Sequence, residues 1–304
     1  MTFLPSRLHW SKLPMYLADG CRSVQTCSAM PDSPVCYLDT RNASASSAEI
    51  FASLDVCETI AGIENNVADI QLRMFYQQDA WVLQLPGEKT RVTIDFASGE
   101  FTRRLLAPNI MAEAVVRAVR GRAPADAVVR VFDATAGAGR DAMLLAAAGC
   151  EVMLCERLPL LAELLAVALS NAQHDPLPEL SAAASRCQLL RGVVDSAQLM
   201  ADWPHAPPEV IYLDPLYQHS QASGKQGLKS SALSNKLMRV LQHIDALYAP
   251  RMPKPDPVEL MEAALRLAKH KVIVKRPPAA PPLAGLKPAS QLSTKTVRFD
   301  VYPR

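Results

Sequence analysis

Four carboxylates and two glycines carry the chemistry that can be read from this chain. Asp133 closes the apolar run Val129 to Phe132, and after Ala-Thr-Ala come Gly137, Ala138, Gly139, Arg140 and Asp141. Glycines let a backbone turn through conformations closed to other residues and approach a ligand closely. Carboxylates beside such a loop attract cationic groups on that ligand. Glu156 follows the next apolar run, Glu151 to Cys155; an ionised carboxylate there accepts hydrogen bonds from both hydroxyls of a ribose. Asp214-Pro215-Leu216-Tyr217 follows the run Val210 to Leu213. A carboxylate and a backbone carbonyl at such a place can accept the two hydrogens of an amine conjugated to a base ring and orient its nitrogen, while an aromatic ring stacks on the base.

Each element has a blander use. Asp133 and Asp141 stand where aspartate commonly makes turns or caps helices. Asp195-Ser196 is an ordinary helix start, and Asp-Pro ends a strand in a turn with Tyr217 packed in a core. Gly137-Ala-Gly139-Arg-Asp-Ala142 also fits the dinucleotide fingerprint GxGxxG/A, with Glu156 near the distance of a ribose-binding acid. In that fingerprint the first glycine follows the strand almost directly, whereas Asp133-Ala-Thr-Ala intervenes here. The pattern D-x-x-x-G-x-G instead resembles the first motif of Rossmann-like methyltransferases that use S-adenosylmethionine. The ligand-binding use is favoured because the elements occur together and in order.

These residues need a sheet to bring them together. From Val128 onward the pattern alternates strand and helix: strands over Val128 to Phe132, Glu151 to Cys155, Gln188 to Arg191, Val210 to Leu213 and Lys271 to Lys275, with helices over Arg140 to Ala148, Pro159 to Ala172, Ser234 to Leu247 and Pro257 to Ala268. Short apolar strands separated by helices predict an α/β, doubly wound, mostly parallel sheet. "TKTVRFDVYP" predicts a C-terminal strand pairing antiparallel at its edge, after the proline-rich loop Arg276 to Ala289. Upstream, residues 34–121 read as a small mixed α+β domain. It has strands around Ile70 to Tyr76, Trp81 to Leu85 and Arg91 to Phe96, then a helix over Asn109 to Gly121. Residues 122–304 form the main domain. Residues 1–33 lack a periodic apolar face and read as a poorly ordered extension, with Met30 as an alternative start.

Composition narrows the function further. The chain has 304 residues, and 49% of them are hydrophobic, enough for a sizeable core. With 32 basic and 30 acidic residues the net charge is +2, so any nucleic-acid contact must come from a local patch. The seven cysteines form no CxxC pair and no zinc spacing, which predicts reduced thiols in a cytoplasmic protein and no metal. No apolar run reaches membrane-spanning length, so no membrane partner is expected.

The motifs "DATAGAGRDA", "CERLP", "VIYLDPLY", "LMRVL", "VIVKRP" with "APPLAG", and "RFDVY" together resemble the ribosomal RNA small subunit methyltransferase J family, from about Pro34 to the C-terminus. The resemblance implies a Rossmann-like class I methyltransferase fold, S-adenosyl-L-methionine as cofactor, and methylation of the exocyclic N2 amine of a guanine in 16S ribosomal RNA or the small subunit. It further implies cofactor contacts at Arg140, Asp141, Glu156, Arg157, Asp195, Ser196 and Asp214, beside Asp133, Gly137 and Gly139. Asp214, Pro215 and Tyr217 are then the catalytic set. Gln218, the long segment "HSQASGKQGLKSSALSNK" and residues 1–33 depart from the family pattern. Candidate phosphate contacts are Arg103, Arg104, Lys225, Lys229, Lys236, Lys275 and Arg276. Competing functions are a DNA adenine or small-molecule methyltransferase, a ribosome-assembly binding protein without catalysis, and a dehydrogenase, the last leaving Asp133 and "DPLY" unexplained.

Overall fold

The computed structural model describes residues 36–39, 57–59, 72–77, 80–89, 91–124, 126–192, 195–215, 232–249, 252 and 254–304. The extension over 1–33, Leu216, Tyr217, Gln218, Lys225 and Lys229 lie outside them. All the described residues belong to one compact unit.

The described residues begin with a five-stranded sheet in the order β2-β1-β3-β4-β5. Its strands are β1 (Cys36–Asp39), β2 (Cys57–Thr59), β3 (Arg73–Gln77), β4 (Ala80–Gln84) and β5 (Arg91–Thr93). β1 runs parallel to both neighbours, and β3 to β5 form an antiparallel meander. Leu72 and Met74 are buried as the alternation predicts. β5 is shorter than "RVTIDF" suggests, because the Asp95 carboxylate accepts the Ala97 N–H at 2.8 Å and bends the chain away. Helix α1 (Gly99–Leu105) follows; it was not foreseen. The helix expected over Asn109 to Gly121 is broken. A 3₁₀ turn covers Ile110–Ala112, Glu113 is extended at φ −54° and ψ 133°, and α2 spans Ala114–Arg120. Both carboxylate oxygens of Glu113 grip Arg104 at 2.7 Å, which ties this break to α1.

The main sheet has seven strands in the order β11-β12-β10-β9-β6-β7-β8. Its elements in chain order are β6 (Arg130–Asp133), α3 (Arg140–Ala147), β7 (Glu151–Cys155), α4 (Pro159–Gln173), α5 (Pro178–Ala184), β8 (Cys187–Leu190) and α6 (Ser196–Ala201). They continue with β9 (Val210–Leu213), α7 (Ala232–Tyr248), α8 (Pro257–Leu267), β10 (Lys271–Arg276), β11 (Ser290–Ser293) and β12 (Arg298–Pro303). β6 starts later than the apolar pattern suggests, since pairing begins with Arg130 opposite Glu151 and Val128 is 54% exposed. β12 is antiparallel to β10 as foreseen, and an unforeseen strand, β11, pairs outside it. The remaining main strands are parallel.

Burial holds this sheet in place. Val131, Phe132, Leu154, Ile211, Leu213, Ile273 and Val274 are fully enclosed, each worth about 1.5–3 kcal/mol relative to exposure. The chain winds outward from β6 through β7 to β8, then returns to lay β9 on the other side of β6. Where strand order reverses, a crevice opens at the carboxyl ends of the strands, the place where such sheets bind ligands.

Candidate active site

A cavity of about 670 Å³ opens at this reversal, with Asp133, Gly137, Arg140, Asp141, Glu156, Arg157, Ser196, Asp214 and Pro215 on its wall. Nine of the residues singled out by motif therefore meet at one place. Gly139 lies outside the lining. It takes φ +70° and packs beneath the loop, where a Cβ would come within 2.6 Å of Leu165 Cδ1. Asp195 is also outside the lining. It is exposed and caps α6 by accepting the Ala197 and Gln198 N–H groups through Oδ1 at 2.8 and 3.1 Å. Its helix-start use is thus realised, and its other oxygen has no partner among the described residues.

The loop after β6 is fixed through its backbone. Ala134 N–H donates to the Tyr212 carbonyl on β9, and Ala136 N–H to the Cys155 carbonyl on β7, at 3.1 and 2.9 Å. Asp133 accepts the Thr135 N–H at 3.1 Å, and burial pushes its carboxyl well above the usual range. Glu156 accepts the Gly137 N–H on Oε2 and the Leu158 N–H on Oε1, both at 2.8 Å. Burial raises the Glu156 carboxyl, against the pull of those two N–H groups. Arg157 pairs with Asp245 of α7, which also holds Lys254 at 2.8 Å. A second Arg157 nitrogen, Nη1, is enclosed with no hydrogen-bond partner among the described residues.

The other end of the wall is built from ionisable side chains. Lys275 Nζ lies 2.7 Å from Asp141 Oδ2 and 2.9 Å from Asp214 Oδ2. The Tyr212 hydroxyl donates to the same Asp141 oxygen at 2.6 Å, and the Asp214 N–H donates to Thr135 Oγ1 at 2.6 Å. Burial alone would raise Asp141, but Lys275 and Tyr212 hold it below the usual carboxylate range. Burial raises Asp214, opposed by Lys275 and reinforced by the neighbouring Asp141 charge. Burial opposes the charge on Lys275, yet the two carboxylates outweigh it and raise the ammonium's pKa.

Two residues expected to meet phosphate do something else. Lys275, 24% exposed, is paired with both carboxylates, and Arg276 is 4% exposed and donates to the Pro281 carbonyl at 2.5 Å. Pairing one cation with two carboxylates and burying the other takes both away from a phosphate backbone. Arg104 is paired with Glu113 and lines the cavity, while Arg103 and Lys236 are exposed. Sequence reasoning missed Thr135, Tyr212, Asp245 and Lys254 on this wall. One available signal was register: with Val274 opposite Leu213 on parallel strands, Lys275 falls beside Asp214.

The donor set fits S-adenosylmethionine. Each Glu156 oxygen has one N–H and keeps capacity for a ribose hydroxyl. The N-terminus of α3 with Arg140 suits a carboxylate, and Asp133 and Asp214 suit ammonium and sulfonium charge. The volume lies within the range of about 300–1,000 Å³ usual for small-molecule sites. Among the described residues no cluster of His, Cys, Asp and Glu could hold a metal ion, and no helix is long and apolar enough to cross a membrane.

The family described as "Putative SAM-dependent methyltransferase" matches residues 61–304. The crystal structure of the SAM-dependent methyltransferase from Neisseria gonorrhoeae superimposes with a TM-score of 0.63 at 27% identity, covering 88% of this chain and 96% of that one. Fold, cavity and likeness define an S-adenosylmethionine-dependent methyltransferase of the Rossmann-like class. Ribosomal RNA small subunit methyltransferase J of Pseudomonas paraeruginosa is 40% identical over 231 residues, 75% of this chain and 80% of that protein, and its namesake in Pseudomonas fluorescens is 35% identical over 251 residues, 81% and 88%. The chain belongs to the ribosomal RNA small subunit methyltransferase J family.

Proposed function

We propose that this chain transfers a methyl group from S-adenosylmethionine to the exocyclic N2 amine of a guanine in 16S ribosomal RNA, in the cytoplasm where small subunits are built. The observation that carries this proposal is Asp214. It ends β9 at the strand reversal, its side chain is 36% exposed, and it shares the cavity wall with the glycine loop and Glu156. Relatives named ribosomal RNA small subunit methyltransferase J supply the substrate class.

Asp133, Gly137, Arg140, Asp141, Glu156, Arg157, Asp195 and Ser196 are assigned to the cofactor, with Gly139 shaping the loop. When bound, S-adenosylmethionine would supply the methyl group, its sulfur–methyl bond breaking so that the sulfonium leaves as a neutral thioether. The Asp214 carboxylate accepts one amine hydrogen and the Pro215 carbonyl the other, which turns the nitrogen lone pair toward that methyl. Once the N–C bond has formed, Asp214 takes the surplus proton from nitrogen and releases it to solvent. Tyr217, outside the described residues, is assigned to stacking on the base. The exposed Arg103 and Lys236 are assigned to phosphates, giving salt-dependent affinity without base specificity.

Incubation of the purified protein with labelled S-adenosylmethionine and, separately, small subunits, naked 16S RNA and DNA tests the proposal. Label on a guanine N2 of 16S RNA, in either RNA form, is the expected outcome. Label in DNA alone, or none in any substrate despite cofactor binding, would sink it.

A further inference from the structure

We propose that Lys275 is a positioning residue for the transfer step, its ammonium held between Asp141 and Asp214 so that the Asp214 carboxylate stays ionised and turned into the cavity. The proposal rests on the role given to Asp214 above and adds the residue that enables it.

The geometry is that of a shared cation. β10 runs parallel to β9 with Val274 opposite Leu213, so Asp214, just past the end of β9, comes beside Lys275, which is still paired with Phe299 of β12. The Nζ atom then reaches one oxygen of each carboxylate, at 2.7 Å on α3 and 2.9 Å on β9. Asp141 has a second donor, the Tyr212 hydroxyl at 2.6 Å. Among the described residues Lys275 is the single hydrogen-bonding partner of the Asp214 carboxylate, so its removal leaves Asp214 with none while Asp141 keeps the Tyr212 hydroxyl.

A partly exposed ion pair is weak support for stability. A lysine paired with two carboxylates in the wall of a reaction cavity instead sets the charge of its neighbours. The groups acting on Asp214 are Lys275 and Arg276 from β10, Asp141 from α3, Asp133 from β6 and Tyr212 from its own strand. Asp141 and the surrounding protein push Asp214 toward its neutral form, and Lys275 opposes them. A neutral Asp214 would carry a proton where the amine hydrogen must be accepted. Loss of Lys275 raises the Asp214 pKa, so the acidic limb of turnover moves to higher pH.

The test compares Lys275→Met, Lys275→Arg and Tyr212→Phe in the full chain. The Asp214 carboxyl is followed by carbon NMR titration without RNA, kcat is measured against pH at saturating cofactor, and cofactor affinity is measured by calorimetry. Lys275→Met should raise the Asp214 midpoint and the acidic limb of kcat together by about one to three pH units, the usual effect of an adjacent opposite charge. Lys275→Arg should restore both, and Tyr212→Phe, which strips a donor from Asp141 alone, should leave both near wild type. If Lys275→Met does not fold, Lys275→Gln, which keeps a donor without charge, reads the same shift. An unmoved midpoint in the uncharged variant would overturn the proposal, and so would equal shifts in Tyr212→Phe. The RNA-free titration stands even if no RNA is methylated, in which case the failure belongs to the assigned substrate and not to Lys275.

Discussion

The two ends of the cavity wall hold their carboxylates by different means. At the β6–β7 end, Asp133 and Glu156 accept backbone N–H groups from Thr135, Gly137 and Leu158. At the β9–β10 end, Asp141 and Asp214 are held by the side chains of Lys275 and Tyr212. Backbone donors cannot titrate, so the first pair is fixed in position and suited to gripping a ligand. Side-chain donors carry charge and can be tuned, so the second pair suits the handling of a proton. On the proposed reading one end binds and the other reacts, although both are built from the same residue types near the ends of neighbouring parallel strands.

The largest effect that would sharpen this contrast is expected at Asp214. Asp214→Asn keeps the size but replaces an acceptor oxygen by a donor, and turnover should fall on the order of 100- to 10,000-fold, the usual weight of a positioned proton acceptor. Single-turnover methylation at saturating cofactor reads it. Glu156→Ala should instead weaken cofactor binding by about 1.5–3 kcal/mol, the range for hydrogen bonds to a charged group. Calorimetry on the folded variant checks this, and unchanged affinity would remove Glu156 from the site.

Gly139→Ala tests the packing under the binding end. Its Cβ would fall 2.6 Å from Leu165 Cδ1 at a backbone φ of +70°, and stability should drop by about 1–3 kcal/mol, as for overpacked cores. Denaturant unfolding measures it, and a wild-type midpoint would mean that Leu165 moves aside freely. Tyr217→Ala should weaken RNA engagement by about 1–3 kcal/mol, and Tyr217→Phe should be mild because the ring remains. Wild-type methylation by Tyr217→Ala would place the base elsewhere. The smallest effect belongs to the surface. Arg239 of α7 pairs with Glu88 while 60% exposed, so Arg239→Ala should cost no more than about 1 kcal/mol.

Much of the binding end was legible because its parts are local. Asp133 and the glycines lie on one strand–loop unit, and Glu156 follows the very next strand. Strands β7 and β9 were bounded correctly because short apolar runs end abruptly at an acid. The reacting end was half legible. Asp214 stood out in "DPLY", but Lys275 read as a phosphate contact because its partners come from α3 and the segment just after β9 and are fixed by sheet order. Asp245 escaped notice for a similar reason. It sits in the last turn of α7, and its partner Arg157 is 88 positions away. Helices α1 and α5 were missed because each is seven residues long, too short to show a helical period.

The division of labour along the wall is tested most directly by assaying Asp214→Asn and Glu156→Ala side by side, with cofactor affinity and single-turnover rate on small subunits measured for each. The expected result is a crossed pattern. Asp214→Asn should keep cofactor affinity within about tenfold, a loss no greater than about 1.4 kcal/mol, while losing the rate, and Glu156→Ala should lose affinity while keeping most of the rate once cofactor is saturating. Parallel losses of affinity and rate in both variants would contradict the account, since they would make the wall a single binding surface with no separate reacting end.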